Sequence, residues 1–274
     1  MADAPVPPAS LFEGAKSVLE TADPRDKAAM ARAVAAAWRE KGLPVGTRLD
    51  APDRPSRPAD PQLVPPGQVP RRRLGTPAGR AALLHAIAHI ELNAIDLAFD
   101  MLLRFGADPL IAEDDRAGFL SDWISVGDDE ARHFILVEDR LNALDSHYGA
   151  LPAHDGLWDA ALATADSLPA RLAIAPLVLE ARGLDVTPGM INRLESTGDA
   201  KSAGVLKVIY NEEIGHVATG MRWFLAVSAT LNQEPEAHFH ALVTRYFKGH
   251  LKPPFNIPAR LEANFPPDYY EPLT

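Results

Sequence analysis

The chain has 274 residues, no cysteine and a formal net charge of -10. The missing thiols exclude disulfides, thiolate metal sites, iron–sulfur clusters and a cysteine nucleophile, so any metal must be held by oxygen and nitrogen ligands. The acidic balance disfavours generic nucleic-acid binding, because the field of the whole chain repels phosphate. The dense basic run Arg71-Arg72-Arg73 is more typical of a solvated linker.

The residues at the N-terminus show neither the basic start nor the apolar run of a signal peptide, and no stretch approaches about 18 unbroken apolar residues. A hydrophobic content of 47% is ample for a buried core. These features predict a soluble, cytoplasmic protein that does not associate with a membrane.

The first part of the chain predicts two amphipathic helices followed by an irregular segment. The helices cover residues 10–20 and 23–41, and Gly42 ends the second. Prolines crowd residues 43–74, which favours an extended wrapping segment over regular structure. We therefore predict an N-terminal appendage over residues 1–75.

Four long helices are predicted after this appendage. The first begins at Thr76-Pro77, a capping residue followed by proline at the first helical position. The four helices cover residues 76–105, 111–148, a stretch starting near Pro169, and 199–230. A short helix over 156–165 lies in the connection between the second and the third.

The rest of the chain predicts a shorter helix over residues 234–248 and then a proline-rich, aromatic tail. Apolar residues recur at intervals of three and four along the chain, which indicates helices rather than strands. The predicted fold is therefore all-α, with a four-helix bundle over 76–232. A C-terminal helix and an extended tail, residues 233–274, would pack on that bundle.

Two of the long helices carry Glu and His three residues apart, as Glu130 with His133 and Glu213 with His216. Side chains at this spacing lie on one face of a helix, where both can reach the same metal ion or a neighbouring pair. One such pair would mean little, because Glu and His are ordinary residues of helix surfaces.

The helix before each pair carries a lone Glu among apolar neighbours. Glu91 lies 39 residues before Glu130, and Glu180 lies 33 residues before Glu213. Each separation corresponds to one helix hairpin, which returns the chain to the same depth in a bundle. We therefore predict that six side chains converge on a dimetal site: Glu91, Glu130, His133, Glu180, Glu213 and His216.

Four carboxylates and two imidazoles suit a redox-active metal pair, which favours two iron ions, with manganese or a mixed pair as alternatives. Four buried carboxylates without cations would repel one another strongly. The alternative for Glu180 is a structural ion pair with Arg182 or His85. That interpretation would leave the pattern on the other three helices unexplained.

Four segments carry a resemblance to a known family; they are residues 84–92, 179–185, 211–217 and 253–256. Together they resemble a ferritin-like family catalogued as domain of unknown function 455, along nearly the whole chain. The bundle and ligand pattern are also similar, more distantly, to the diiron hydroxylases that modify methylthio-isopentenyl-adenosine in tRNA. The resemblance implies a ferritin-like fold and a metal site at the six residues above, and it implies no substrate.

Several neighbours of these residues have two interpretations. Tyr210 could supply a proton or an electron, or could hydrogen-bond a ligand carboxylate, which we favour. Thr219 is a second catalytic candidate, although a bond to the carbonyl one turn earlier is the simpler role. The glycines at 127, 183 and 220 either leave space beside the metals or allow close helix packing.

His85 and His89 precede Glu91 by six and two residues, which turns them about 240° and 200° around the helix, away from the ligand face. We expect them to make bonds to other elements instead. Arg182 could face a neighbouring helix or reach an anionic group of a substrate, and the sequence favours neither.

The leading functional hypothesis is a dioxygen-activating diiron hydroxylase or monooxygenase that acts on a small or medium organic substrate and takes electrons from a separate donor. The alternatives are a non-catalytic metal-binding or iron-handling protein and a metal-stabilised interaction scaffold. About 75 residues before the bundle and about 40 after it argue against a ferritin-like shell. The pattern leaves the substrate, the electron donor and the oligomeric state open, a dimer included.

Overall fold

In a computed structural model, residues 8–69 and 74–274 are described. Regular structure within these ranges is helical, apart from one isolated parallel bridge between Leu63 and Ala153. This confirms the predicted all-α class. Residues 1–7 and the basic run Arg71-Arg72-Arg73 lie outside the described ranges.

The described residues form ten α-helices. They are α1 (Leu11–Glu20), α2 (Pro24–Lys41), α3 (Pro77–Phe105), α4 (Glu113–Asn142), α5 (Gly156–Ala163), α6 (Leu168–Ile174), α7 (Ala181–Ser196), α8 (Ala200–Thr230), α9 (Pro235–Tyr246) and α10 (Ile257–Glu262). A π-helix, Ala175–Glu180, joins α6 to α7. Short 3-10 turns cover Pro66–Gln68, Pro267–Tyr269 and Glu271–Leu273.

The helix starts follow from local capping. The Asp23 carboxylate accepts hydrogen bonds from the N–H groups of Arg25 and Asp26, at 2.9 and 3.0 Å, ahead of α2. The Thr76 hydroxyl accepts one from the Gly79 N–H, at 3.1 Å, ahead of α3. In both helices proline follows the cap, where its missing N–H costs nothing. The predicted starts of these two helices are confirmed.

The second long helix and the C-terminal tail differ from the prediction. The second long helix was expected to reach residue 148, but α4 ends at Asn142 and turns follow, with Asp145 in the left-handed region at a φ of 56°. The C-terminal tail is not extended, because α10 and two 3-10 turns occupy it. Pro258, Pro267 and Pro272 stand in the first turn of these elements, where proline starts a helix instead of breaking it.

The first compact unit comprises residues 1–107 and 116–158, as far as they are described. Within it α1 packs against α2 and α3. Its largest fully buried apolar side chains include Leu11, Phe12, Phe99, Phe119 and Phe134. The N-terminal helices thus complete the core around α3 in this unit.

Helix α3 is long and apolar enough to cross a membrane, alone among the helices of the described residues. However, 89% of its most apolar 18-residue window is buried inside the protein. Such burial is typical of the core helix of a soluble protein, which agrees with the predicted solubility. The cytoplasmic location stays a prediction.

The second compact unit comprises residues 108–115 and 159–274. Within it α7 packs along α8, and α6, the π-helix and α9 also contact α8. Arg260 on α10 is buried, lies 2.8 Å from Asp185 of α7 and stacks 4.4 Å from the ring centre of Tyr270. These contacts attach the C-terminal tail to α7. The predicted division into residues 1–75, 76–232 and 233–274 stays a prediction.

Candidate metal centre

The first compact unit brings three of the six predicted ligands together. Glu91 projects from α3, and Glu130 and His133 project from α4; their relative exposures are 3%, 1% and 0%. The Nδ1 atom of His133 lies 3.3 Å from Oε2 of Glu91 and 3.4 Å from Oε2 of Glu130. The spacing of three residues on α4 therefore does place both side chains on the face that meets Glu91.

The geometry of this cluster fits a metal ion. Two donor atoms that each lie roughly 2.1 Å from a shared ion are separated by about 3 to 3.5 Å. The distances from His133 Nδ1 to Glu91 and Glu130, 3.3 and 3.4 Å, agree with this spacing. The donor atoms of all three residues lie within 4.8 Å of one another. A buried oxygen and nitrogen donor set of this kind could hold a metal ion.

The protonation of His133 indicates what an ion would displace. Burial lowers the pKa of this imidazole, but hydrogen bonds and charges from Glu130 and Glu91 outweigh it and raise the pKa to about 11. The two carboxylates therefore favour the protonated form of the His133 imidazole. A metal ion held by these three residues would compete with the proton for Nδ1 of His133.

The second compact unit holds the other three predicted ligands. Glu213 and His216 lie one turn apart on α8, with 3.6 Å between Glu213 Oε2 and His216 Nδ1. Glu180 is the last residue of the π-helix, directly before α7, which packs along α8. His216 is buried, whereas Glu180 and Glu213 are half-buried. This unit thus carries its own pair of donors at a spacing close to that of the first cluster.

The π-helix at Glu180 is a feature that the sequence prediction missed, because the third long helix was expected to be regular. Pro176 stands in its first turn. Proline lacks an N–H donor and its ring clashes with the carbonyl one turn earlier in an α-helix, so a wider turn relieves the conflict. Single π-turns occur often at functional sites. The available signal was a proline four residues before a predicted ligand.

Two of the three glycines near the ligands are explained by close packing. A Cβ atom on Gly127 would lie 2.6 Å from the ring of Phe99, and one on Gly220 would lie 2.4 Å from the Cβ of Pro176. Nothing lies within 4 Å of a Cβ built on Gly183. Of the two interpretations, tight helix packing therefore applies at positions 127 and 220, and open space at 183.

Replacing Gly127 with alanine should lower the free energy of unfolding by about 1 to 3 kcal/mol, because the new methyl group forces the buried Phe99 ring to move. Gly183→Ala is the matched control, since its methyl group meets no neighbour; it should leave stability unchanged or raise it by up to about 1 kcal/mol. Urea denaturation of the two variants measures the difference. Equal stability of both variants would contradict the packing interpretation.

Tyr210 has a different partner from the one predicted. Its hydroxyl accepts a hydrogen bond of 2.9 Å from the side-chain amide of Asn256, whereas the favoured prediction had this hydroxyl donate to a ligand carboxylate. The Asn256 amide also donates to the Leu184 carbonyl at 3.0 Å. Tyr210 therefore joins α8 to the C-terminal segment. Thr219 is half-buried one turn beyond His216, and the catalytic roles of both residues stay predictions.

Arg182 faces the C-terminal segment. Its Nη1 donates to the carbonyl of Lys252 at 2.6 Å and lies 3.4 Å from Asp185. Of the two roles considered, the structure supports contact with a neighbouring element. The contacts of Arg182 are with Lys252, Pro254 and Asp185 rather than with Glu180.

His85 and His89 make the bonds to other elements that their helical positions predict. His85 Nε2 accepts a hydrogen bond of 3.0 Å from the N–H of Gly149. His89 Nε2 lies 3.1 Å from the carbonyl of His154, and its Nδ1 lies 2.8 Å from the hydroxyl of Tyr148. A carbonyl can only accept, so Nε2 donates, and the neutral ring accepts at Nδ1 from Tyr148. Burial lowers the pKa of His89 to about 4.

The low pKa of His89 makes stability depend on pH. Between pH 6.5 and about 4 the unfolded histidine binds a proton that the folded one does not, so its contribution to the free energy of unfolding falls as the pH is lowered through this window. His89→Gln should therefore show a shallower loss of stability than the wild type. Denaturation in EDTA at several pH values tests this, with exposed His250→Gln as the control; parallel curves for wild type and His89→Gln would refute it.

Comparison with known proteins places the chain in a family. Residues 20–271 match the family described as "Protein of unknown function (DUF455)". The chain is 40% identical over 208 residues to an uncharacterized protein of Haemophilus influenzae, a match that covers 76% of this chain and 72% of that protein. No solved structure matches the chain. With a match across most of its length, this chain belongs to the DUF455 family.

Proposed function

We propose that this chain is a dimetal carboxylate oxidoreductase that activates dioxygen, as a hydroxylase or monooxygenase of an organic substrate. One ion would be held by Glu91, Glu130 and His133, and the other by Glu180, Glu213 and His216. The observation that carries the proposal is the first cluster, in which two buried carboxylates flank a buried imidazole at distances that suit a shared ion.

The pairing of the two ions rests on the sequence. A Glu followed after one hairpin length by Glu and His occurs twice, with separations of 39 and 33 residues. Repetition of this order on successive long helices is the ligand pattern of ferritin-like dimetal proteins. We therefore propose that the two clusters would be the two halves of one dinuclear centre.

The protein side chains would bind the ions and exclude water from the site, and His133 would carry one exchangeable proton. A bound iron pair supplies two electrons together to dioxygen. Glu91, Glu130 and His133 are almost completely buried, so their carboxylates and imidazole act in a medium of low dielectric constant where charge interactions are strong. His133 would give up its proton on binding an ion through Nδ1.

Iron is the proposed metal, and manganese or a mixed pair is the alternative, because oxygen and nitrogen donors accept each of these ions. The reaction also requires a partner that delivers electrons. Nothing in the acidic composition favours nucleic acid as that partner or as the substrate.

Anaerobic loading with ferrous iron followed by exposure to oxygen tests the proposal. The protein should consume oxygen and develop near-ultraviolet absorption, and the double variant His133→Ala/His216→Ala should do neither. Loading that leaves oxygen consumption at the level of the double variant would refute the enzymatic function.

The same preparation separates the two other hypotheses. An iron-handling protein would take up many more than two ions per chain and would elute from gel filtration as a large assembly. A metal-stabilised scaffold would melt at a higher temperature with metal than without it, and would consume no oxygen.

A further inference from the structure

The first compact unit contains a cavity of about 270 Å³ that is separate from the metal ligands. It lies between the proline-rich segment and the connection that follows α4, and its lining includes Arg57, Pro61, Leu63, His89 and Tyr148. His89 points about 200° around α3 from Glu91, since the two residues are two positions apart. The cavity therefore lies on a different face of α3 from the first metal cluster.

Hydrogen bonds hold the walls of this cavity in place. The N–H of Val64 donates to the Ala153 carbonyl at 2.8 Å, and the N–H of Ala153 donates to the Gln62 carbonyl at 3.1 Å. The indole N–H of Trp158, which is fully buried, donates to the Asp53 carbonyl at 3.0 Å. The proline-rich segment is thus attached at several points, and the cavity is formed before any ligand arrives.

The two aromatic side chains of the lining, His89 and Tyr148, are hydrogen-bonded to each other. His89 uses Nε2 to donate to the His154 carbonyl and Nδ1 to accept from Tyr148. The Tyr148 ring stacks on His85, with ring centres 5.5 Å apart. These rings form a rigid wall, and they offer no further donor for a negatively charged ligand.

Arg57 contributes a positive charge to the wall of the cavity. Its Nη2 lies 2.9 Å from the carboxylate of Asp96, and the Lys27 ammonium pairs with the same carboxylate. Lys27 and Asp96 are both fully buried. Two cations thus share one carboxylate. The neighbouring acids do not offset this excess, because Asp100 pairs with Arg104 and Asp155 pairs with Arg54.

The hydrogen-bonding capacity of Arg57 is also incomplete. Its Nη2 donates to the side chain of Asn93 at 2.8 Å, whereas Nη1 is buried and has no acceptor among the described residues. A buried donor without an acceptor is costly. An anion bound beside the guanidinium would supply the missing negative charge.

We infer that this cavity binds a small organic monoanion, a carboxylate with a short apolar or aromatic body. Arg57 holds the carboxylate, and the prolines, Leu63 and the Tyr148 ring contact the apolar part. The single excess positive charge matches one negative charge on the ligand. The volume lies just below the usual range for small-molecule sites, so the ligand is small. This binding does not depend on the metal.

Ligand-observed NMR titrations with acetate, butyrate, benzoate, neutral benzamide and inorganic phosphate test the inference on the full chain. At least one carboxylate should bind saturably below about 10 mM, and benzamide should bind at least about tenfold more weakly than benzoate. Arg57→Gln should weaken carboxylate binding at least about tenfold. Arg39→Gln, which removes the same charge from an exposed pair with Asp128, and His133→Ala should leave it unchanged.

A second variant tests the location without removing Arg57. Ala59 lines the cavity from an exposed position, so Ala59→Trp should fill it and abolish binding while the fold persists. Saturable binding by none of the carboxylates, or binding that survives both Arg57→Gln and Ala59→Trp, would overturn the inference. Tighter binding of phosphate than of every carboxylate would overturn the assigned ligand class. Loss of oxygen consumption would bear only on the proposed metal centre, which this titration does not involve.

Discussion

Replacing His133 with alanine is expected to lower the metal content of the protein from about two ions per chain to about one. The variant keeps Glu91 and Glu130, but it loses the donor that lies 3.3 and 3.4 Å from their oxygens. Two carboxylates alone bind a divalent ion much more weakly than a complete set. Elemental analysis after loading with ferrous iron and gel filtration measures the change.

His216→Ala should have the same effect on the other ion, because His216 is the imidazole donor of the second cluster. The double variant should retain almost no metal. His250→Ala, at an exposed position, serves as the control and should bind as the wild type does. A His133→Ala variant that still binds both ions would remove His133 from the ligand set.

Asp96→Asn is expected to lower the free energy of unfolding by about 3 to 5 kcal/mol. The carboxylate is fully buried and pairs with two cations, Lys27 and Arg57. Burial lowers the pKa of Lys27, which shows that its charge is costly to keep without a partner. The neutral amide would leave both cations uncompensated. Chemical denaturation of protein in the same metal state measures the loss.

Two further variants separate charge burial from other effects. Lys27→Met removes the excess cation and leaves Asp96 paired with Arg57, so it should cost less than Asp96→Asn. Asp139→Asn breaks an exposed pair with Arg25 and should change stability by less than about 1 kcal/mol. An Asp96→Asn variant no less stable than Asp139→Asn would show that the buried carboxylate does not hold the two cations.

Local signals made the helices predictable. The capping residue and proline at Thr76-Pro77 determine the start of α3 through contacts within four residues. The three-residue spacing of Glu130 and His133 likewise places both side chains on one face of α4 without reference to the rest of the fold. The first cluster could be predicted because it requires only these two facts and the hairpin that carries Glu91.

Contacts between distant parts of the chain were not predictable in this way. Tyr210 bonds to Asn256, 46 residues later, and nothing near Tyr210 signals that partner. The roles of Gly127 and Gly220 depend on Phe99 and Pro176, which lie on other helices. The cavity depends on Arg57 meeting Asp96 across the proline-rich segment. The prolines of that segment predicted only that it lacks regular structure. Its contacts with distant residues became visible only in the three-dimensional structure.

Mössbauer and electron paramagnetic resonance spectroscopy of iron-loaded protein test most directly whether the two clusters form the proposed dinuclear centre. After oxidation by oxygen, two ferric ions in one centre should be magnetically coupled, so the protein should hold about two irons per chain and show no signal of isolated high-spin ferric iron. Two irons with the signal of isolated ferric ions, or a single iron per chain, would contradict the claim.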